Sequence, residues 1–427
     1  MLDRSTPPPI KNIDSIQLLP LQKSAFSNGF PLYYISSSSD IIQLSFLFKA
    51  GWNYQTKKLL ADTFASLINN GTLKHSSKEI AEQLEYYGVF VDVQPSAIYT
   101  KLQFTLLKKN LSFVLPLLEE IIKYANFPQE ELDIYIRNQS EQYQTKIKNV
   151  NILAQWHYSK IIYGNNHPFN KFHLPQDYQE ISRDDLLTFF NTHIHPKNGF
   201  IFISGDIDSS VIELLNQHFG KETFHQSQYT FDEVIPQPNS YEEHCIIELP
   251  DALQSAIRVG MVLPLTHQNN DYIDFVIANT LFGGYFGSRL MSVIREEKGF
   301  TYGIYSSLTT YNSFSVFTIS SEVKSETTKE CIDEILNQIE VLQNTPPDEE
   351  ELQIVKNYLS GEILDNTDGI LKQDTVWKSI ITKHLSHDYY NQFLQRIKTI
   401  QAEDISKVFQ KYISIPQLKK CVVGKMQ

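Results

Sequence analysis

Twelve histidines and three cysteines are the side chains from which a metal or nucleophilic centre would be assembled in this chain. His193 and His195 stand two apart at the start of a strand-like segment. His384 and His387 stand three apart on a segment read as helical, where the spacing is compatible with chelation. Neither pair has a carboxylate arrangement or a water-activating glutamate beside it, and His75 and His167-Pro168 read as loop residues. Cys245, Cys331 and Cys421 are far apart in sequence, match neither paired CxxC spacing nor a disulfide framework, and read as small buried hydrophobes. The run Gly283-Gly284 through Gly287 suggests a phosphate cradle, but no strand precedes it and no Lys-Ser/Thr pair ends it. It therefore predicts a helix stop, with Gly287 or Ser288 capping the next helix. No serine or cysteine triad announces itself.

The elements that would position these residues fall into two similar halves. A turn at Asn28-Gly29 leads to an alternating stretch, Gln43 to Ala50, which predicts a half-buried strand. Leu59, Leu60, Phe64, Leu67 and Ile68 recur at helical spacing between Lys58 and Asn69, and Gly71 is placed to stop that helix. A helix from Ser77 to Tyr87, strands at Val89 to Val93 and Leu102 to Leu107, helices at Leu111 to Asn126 and Glu130 to Lys148, and a strand at Phe200 to Ser204 complete the half. The order then repeats: a strand at Ser255 to Leu263, helices at Tyr272 to Phe282 and Ser288 to Glu297, strands at Tyr302 to Leu308 and Ser313 to Ser320, and helices at Glu326 to Gln343 and Asp348 to Leu364. This predicts an α+β fold of two similar lobes, residues 1–220 and 244–427, each a mostly antiparallel sheet with helices on one face. The polar stretch 221–243, with Pro236 and Pro238, reads as the linker.

A chain of 427 residues, 41% hydrophobic and 20% charged, has the balance of a globular protein of two domains. The formal charge of -12 disfavours a nucleic-acid partner. No apolar run approaches the roughly 20 residues that span a bilayer, and Met1 to Pro9 lacks the apolar stretch of a secretory signal. A cytoplasmic protein without a membrane partner is the expectation.

The strand, loop and helix ending in Gly71-Thr72, the two-lobe repeat, the run Phe282-Gly283-Gly284-Tyr285-Phe286-Gly287-Ser288-Arg289-Leu290, and Arg295-Glu296-Glu297-Lys298-Gly299-Phe300-Thr301-Tyr302 together resemble the pitrilysin/insulinase family of zinc peptidases. That family includes the mitochondrial processing peptidase and bacterial two-subunit enzymes. Active members carry an inverted HxxEH motif on the first helix, two histidines binding zinc and the glutamate polarising the bound water. Counting back from Gly71-Thr72, the resemblance places Asp62 and Ser66 at the histidine positions and Ala65 at the glutamate. The family's later glutamate ligand falls on Gln142, with Glu141 beside it. The motif is erased, no metal is expected on this chain, and Asp62 reads as an exposed helix residue.

The resemblance also implies that an arginine and a tyrosine seven positions apart, here Arg295 and Tyr302, reach a zinc site in the opposing lobe. There the arginine grips the substrate backbone and the phenol steadies the oxyanion. It follows that this chain would be the non-zinc-binding subunit of a bacterial heterodimeric peptidase. Its partner would be a homologous subunit with intact HxxEH and bound zinc, and its substrate an extended peptide docked along a sheet edge. The rival expectations are a non-catalytic scaffold similar to the family's core-type assembly subunits, and a homodimer that binds peptides without cutting them.

Overall fold

Asn28 and Gly29 close the first hairpin because Gly29 adopts a φ of 83°, a left-handed conformation that glycine reaches without steric cost. The computed structural model describes residues 13–225 and 244–426. Most of the expected linker, 226–243, lies outside the described residues. The hairpin joins β1 (Gln22–Ala25) to β2 (Pro31–Ser36), and β3 (Ile41–Phe48) follows. Next come α1 (Leu60–Leu67), α2 (Ser77–Tyr86), β4 (Phe90–Pro95) and β5 (Thr100–Leu107). Then α3 (Leu111–Tyr124), α4 (Gln129–Lys146), α5 (Val150–Tyr163), α6 (Pro175–Gln179), α7 (Arg183–His193), β6 (Gly199–Gly205) and α8 (Ser209–Phe219) complete the half. The sheet runs β1-β2-β6-β3-β5-β4, with β2 and β6 parallel and the other neighbours antiparallel.

The second half holds β7 (His244–Glu248), β8 (Gln254–Leu263), α9 (Tyr272–Asn279), β9 (Thr301–Thr310) and β10 (Ser315–Lys324). After them come α10 (Thr328–Asn344), α11 (Glu349–Thr367), α12 (Ile370–Thr382), α13 (Tyr389–Thr399), α14 (Ala402–Tyr412) and β11 (Lys419–Gly424). Its sheet runs β7-β11-β8-β10-β9, with β7 and β11 parallel and the other neighbours antiparallel. Strands β7, β11, β8, β10 and β9 thus take the places of β2, β6, β3, β5 and β4. The repeat read from the sequence holds down to the direction of each strand pair.

Each lobe has its own aromatic core on one face of its sheet. Phe46 meets Phe219 with ring centroids 4.8 Å apart in the first, and Phe282 meets Phe409 at 5.0 Å in the second. The sequence did not foretell an exchange between the halves. Helix α5 lies against the other face of the second sheet, where Ala154, Ile161 and Ile162 pack on Ala256, Cys421 and Val423. Helix α12 lies in the same way against the first sheet, where Val376, Trp377 and Ile380 pack on Leu47, Phe200 and Phe202. The Trp377 indole donates to the Leu19 carbonyl at 3.0 Å.

This exchange explains why β3 is not half-buried as its alternation suggests. Leu44 and Phe46 face the core, while Ser45, fully buried, faces α12 and accepts a hydrogen bond from Lys378 Nζ at 3.1 Å. Lys378 also donates to Gln103 Oε1 at 2.8 Å and pairs with the buried Asp374 one turn earlier. Ser45, Gln103 and Lys378 form a buried hydrogen-bonded contact between the first sheet and α12.

Candidate functional site

Helix α1 begins after Leu59, whose φ of 65° is uncommon for a branched residue, and it packs beside β4, an open edge of the first sheet. The segment leading into it is held by the β4–β5 hairpin. Gly51 N–H donates to Ile98 O, Trp52 N–H to Ser96 O and Asn53 N–H to Ala97 O, each at 2.9 Å. Only glycine fits at position 51, where a Cβ would come within 2.3 Å of Ser96 O. Trp52 is thereby fixed so that its indole N–H donates to Asp62 Oδ1 at 3.3 Å.

Asp62 is half-buried, which corrects the expectation of an exposed residue. Burial holds its carboxyl above the usual carboxylate range, opposed by the Trp52 hydrogen bond and the positive charge of Lys171. Ala65 is buried at 4% exposure and offers no ligand atom. Ser66 is exposed and spends its hydroxyl on the Asp62 carbonyl one turn back, at 2.9 Å. Gln142 and Glu141 are both exposed on α4, so a one-residue slip brings no carboxylate to the site. What α4 and α6 present toward Asp62 is Tyr135 and Tyr178, two phenols whose pKa burial raises.

These residues do not fit a catalytic zinc ion. Among the described residues no group of three His, Cys, Asp or Glu side chains is placed to hold a metal. On α1 the one carboxylate is bonded to an indole, and it is close enough to Tyr135 and Tyr178 to act on both phenols electrostatically. Sequence comparison confined to the motif positions could not find Trp52, Tyr135 or Tyr178, which come from a loop and two other helices.

The histidine pairs fare similarly. His384 has a φ of 54° and lies with His387 in the turn between α12 and α13. The helix expected to carry both is therefore absent. His193 ends α7 against Phe189, ring centroids 4.6 Å apart, and burial drives its pKa down to about 4. His75 belongs to a loop cluster, its Nδ1 2.8 Å from Glu120 Oε2.

In the second lobe, α9 ends in a wide π-type turn, Thr280–Gly284, and a second wide turn spans Met291–Glu297. Gly283 is required by close packing, since a Cβ there would lie 2.6 Å from Ser306 Oγ. Arg295 sits on the second wide turn, its guanidinium 4.7 Å from the Phe286 ring centroid and 3.5 Å from Glu296 Oε1. Tyr302 starts β9 at a β-bulge: Ser321 pairs with Ile304 and Val323 with Thr301, so Glu322 alone opposes Tyr302 and Gly303. Thr301 fixes the bulge, donating to Glu322 O at 2.6 Å and accepting from Gly303 N–H at 3.0 Å. Arg295 and Tyr302 line one surface pocket of about 520 Å³ with Gln254, Glu322 and Lys324. The Tyr302 side chain is 91% exposed.

The chain is thus a duplicated α+β protein in which half-buried Arg295 and exposed Tyr302 share one surface pocket. Residues 180–359 match a family model described as the peptidase M16 inactive domain. The fold matches a peptidase M16 inactive domain from Pseudomonas fluorescens with a TM-score of 0.84 and 19% identity, covering 96% of this chain and 99% of that one. In sequence the chain is 21% identical over 323 residues to the uncharacterized zinc protease YmxG of Bacillus subtilis, covering 74% of this chain and 77% of that protein. It is 22% identical over 305 residues to the non-peptidase homolog YmxG of Helicobacter pylori, covering 67% and 68%. Over residues 180–359 the sequence is similar to the peptidase M16 inactive domain, and over nearly the whole chain the fold is that of a solved protein so described.

Proposed function

We propose that this chain is the non-zinc-binding subunit of a two-chain peptidase, supplying Arg295 and Tyr302 to the active site of a homologous HxxEH-bearing partner. The observation that carries this reading is the contrast between the two loci. The α1 positions lack ligand atoms or spend them internally, whereas Arg295 and Tyr302 share one open pocket and Tyr302 is almost fully exposed. An exposed tyrosine at a β-bulge and an arginine on a wide helical turn occupy irregular backbone of the sort often found at functional sites.

Peptide hydrolysis places negative charge on the scissile carbonyl oxygen, and a phenol fixed beforehand stabilises it without reorganisation. Zinc on the partner would supply the activated water. Tyr302 would donate its O–H to the oxyanion, and Arg295 would hold the substrate backbone near the cleaved bond. At 91% exposure Tyr302 would act weakly in bulk water, so the partner's surface must cover it for the hydrogen bond to reach full strength. The substrate would be an extended peptide added as a strand at an open sheet edge. The enzyme would work in the bacterial cytoplasm.

Mixing the chain with an HxxEH-bearing partner and following cleavage of a quenched fluorescent peptide tests this. Activity in the mixture alone, lost with Tyr302→Phe, supports the split site. Cleavage by this chain alone that a chelator abolishes, or an active mixture indifferent to Arg295→Ala and Tyr302→Phe, refutes it; the latter outcome favours a scaffold.

A further inference from the structure

The exchange of α5 and α12 leaves a cleft of about 650 Å³ between the lobes. Its floor is the part of the second sheet that α5 leaves bare, where Thr318 and Ser320 of β10 and Ser307 and Thr309 of β9 share one face. Its walls are α5 on one side and Trp52 with the Ser96–Tyr99 turn on the other, and Thr382 and Lys383 close one end.

The charge of this lining is unlike that of the rest of the molecule. Lys171, Arg258 and Lys383 line the cleft and no Asp or Glu does, in a chain of formal charge -12. Neither lysine forms an ion pair among the described residues, and Lys171 instead lies over the Trp52 ring, 5.8 Å from its centroid. Arg258 is buried at 9% exposure. Its guanidinium donates to the Ile257 carbonyl at 2.8 Å and to Asn151 Oδ1, and it has no direct carboxylate partner. The nearest acids stand behind other side chains: Glu322 accepts from Asn151 Nδ2 at 2.6 Å, and Asp62 is bonded to the Trp52 indole. Three cations thus border a cleft whose own lining carries no acid, with Glu322 and Asp62 held behind other side chains.

The geometry points to a carboxylate-binding site whose ligand is the C-terminal end of a short peptide. The volume suits a peptide of a few residues. The three cations suit the carboxylate, the hydroxyl rows of β9 and β10 suit peptide amides, and Tyr163, Phe169 and Tyr311 offer an apolar surface for a side chain. The site lies within one chain and does not depend on the split active site proposed above.

Titration calorimetry on the full chain without any partner subunit tests it. The probes are an N-acetylated tripeptide ending in phenylalanine, as the free acid and as the C-terminal amide, and inorganic phosphate. The free acid is expected to bind at least roughly tenfold tighter than the amide and to weaken as salt rises. Lys171→Gln and Lys383→Gln, both exposed in the fold, are each expected to weaken the acid several-fold without lowering the melting temperature. Equal binding of acid and amide, absence of saturable binding up to about 10 mM, affinity unchanged in both variants, or tighter binding of phosphate than of the peptide acid would overturn the assignment.

Discussion

Trp52 holds Asp62 by a 3.3 Å hydrogen bond from its indole nitrogen, and this contact commits the one carboxylate on α1. Asp62 and Ala65 belong to the packing of α1 against its surroundings, and Ser66 turns its hydroxyl to the Asp62 carbonyl.

Ala65→Glu, the change that would return the water-activating residue, is therefore expected to destabilise the protein. Ala65 is 4% exposed, and burying an ionisable group there without a partner costs about 2 kcal/mol or more. A thermal melt of the variant should shift down, and the triple variant Asp62→His, Ala65→Glu, Ser66→His should gain no tight zinc in equilibrium dialysis, because Gln142 and Glu141 remain in solvent.

Tyr302→Phe should leave stability unchanged, since the residue is 91% exposed and no hydrogen bond among the described residues uses its hydroxyl. In the mixture with a zinc-bearing subunit, losing the donor should cost about 2.7–4 kcal/mol of transition-state stabilisation, which slows turnover by two to three orders of magnitude. Parallel melting curves separate this loss from unfolding.

Lys378→Met should be severe for a different reason. It leaves Asp374, 0% exposed, without its cation, and breaking a buried pair costs about 3–5 kcal/mol. The double variant Asp374→Leu, Lys378→Met should recover most of that loss in urea unfolding. Equal stability of the single and double variants would show that Asp374 and Lys378 are not energetically coupled.

Acid should weaken the fold through its buried histidines. His193 and His267 each have a pKa lowered to about 4, chiefly by burial. The unfolded chain, with histidines near 6.5, binds protons that the native chain refuses. Their contribution is complete above about pH 6.5 and declines as the pH falls toward about 4. Denaturant unfolding across that window should show stability falling with pH, with a shallower slope in His193→Phe.

The repeat and the shared order of strands and helices from β3 to α4 and from β8 to α11 were legible in the sequence, because local periodicity carries them, whereas α5 to α8, β7, α12 to α14 and β11 were not read. The surroundings of Asp62 were not, since Trp52, Tyr135 and Tyr178 converge from three separate segments. Helices α5 and α12 were missed for a physical reason. Each is sandwiched between a sheet and the opposite lobe, so apolar residues such as Ile152, Trp156, Tyr158 and Ile161 are spread around α5 and leave no clean amphipathic stripe. The alternation of β3 misled for the same cause, its polar face being covered by a helix from some 330 residues downstream. His384 and His387 have helical spacing, but the backbone turns left-handed at His384 and ends the helix before them.

The reciprocal loan of α5 and α12 also bears on how such a chain arises. Each half contributes one helix to the other's sheet in the same structural position, which is the arrangement of a two-fold homodimer that exchanges an element between protomers. A single ancestral half would have met this demand by pairing with its own copy, and fusing the two copies made the partnership permanent. Once fused, the halves no longer needed to stay alike. One half sets an indole against the single carboxylate of α1, while the other presents Tyr302 to solvent beside half-buried Arg295.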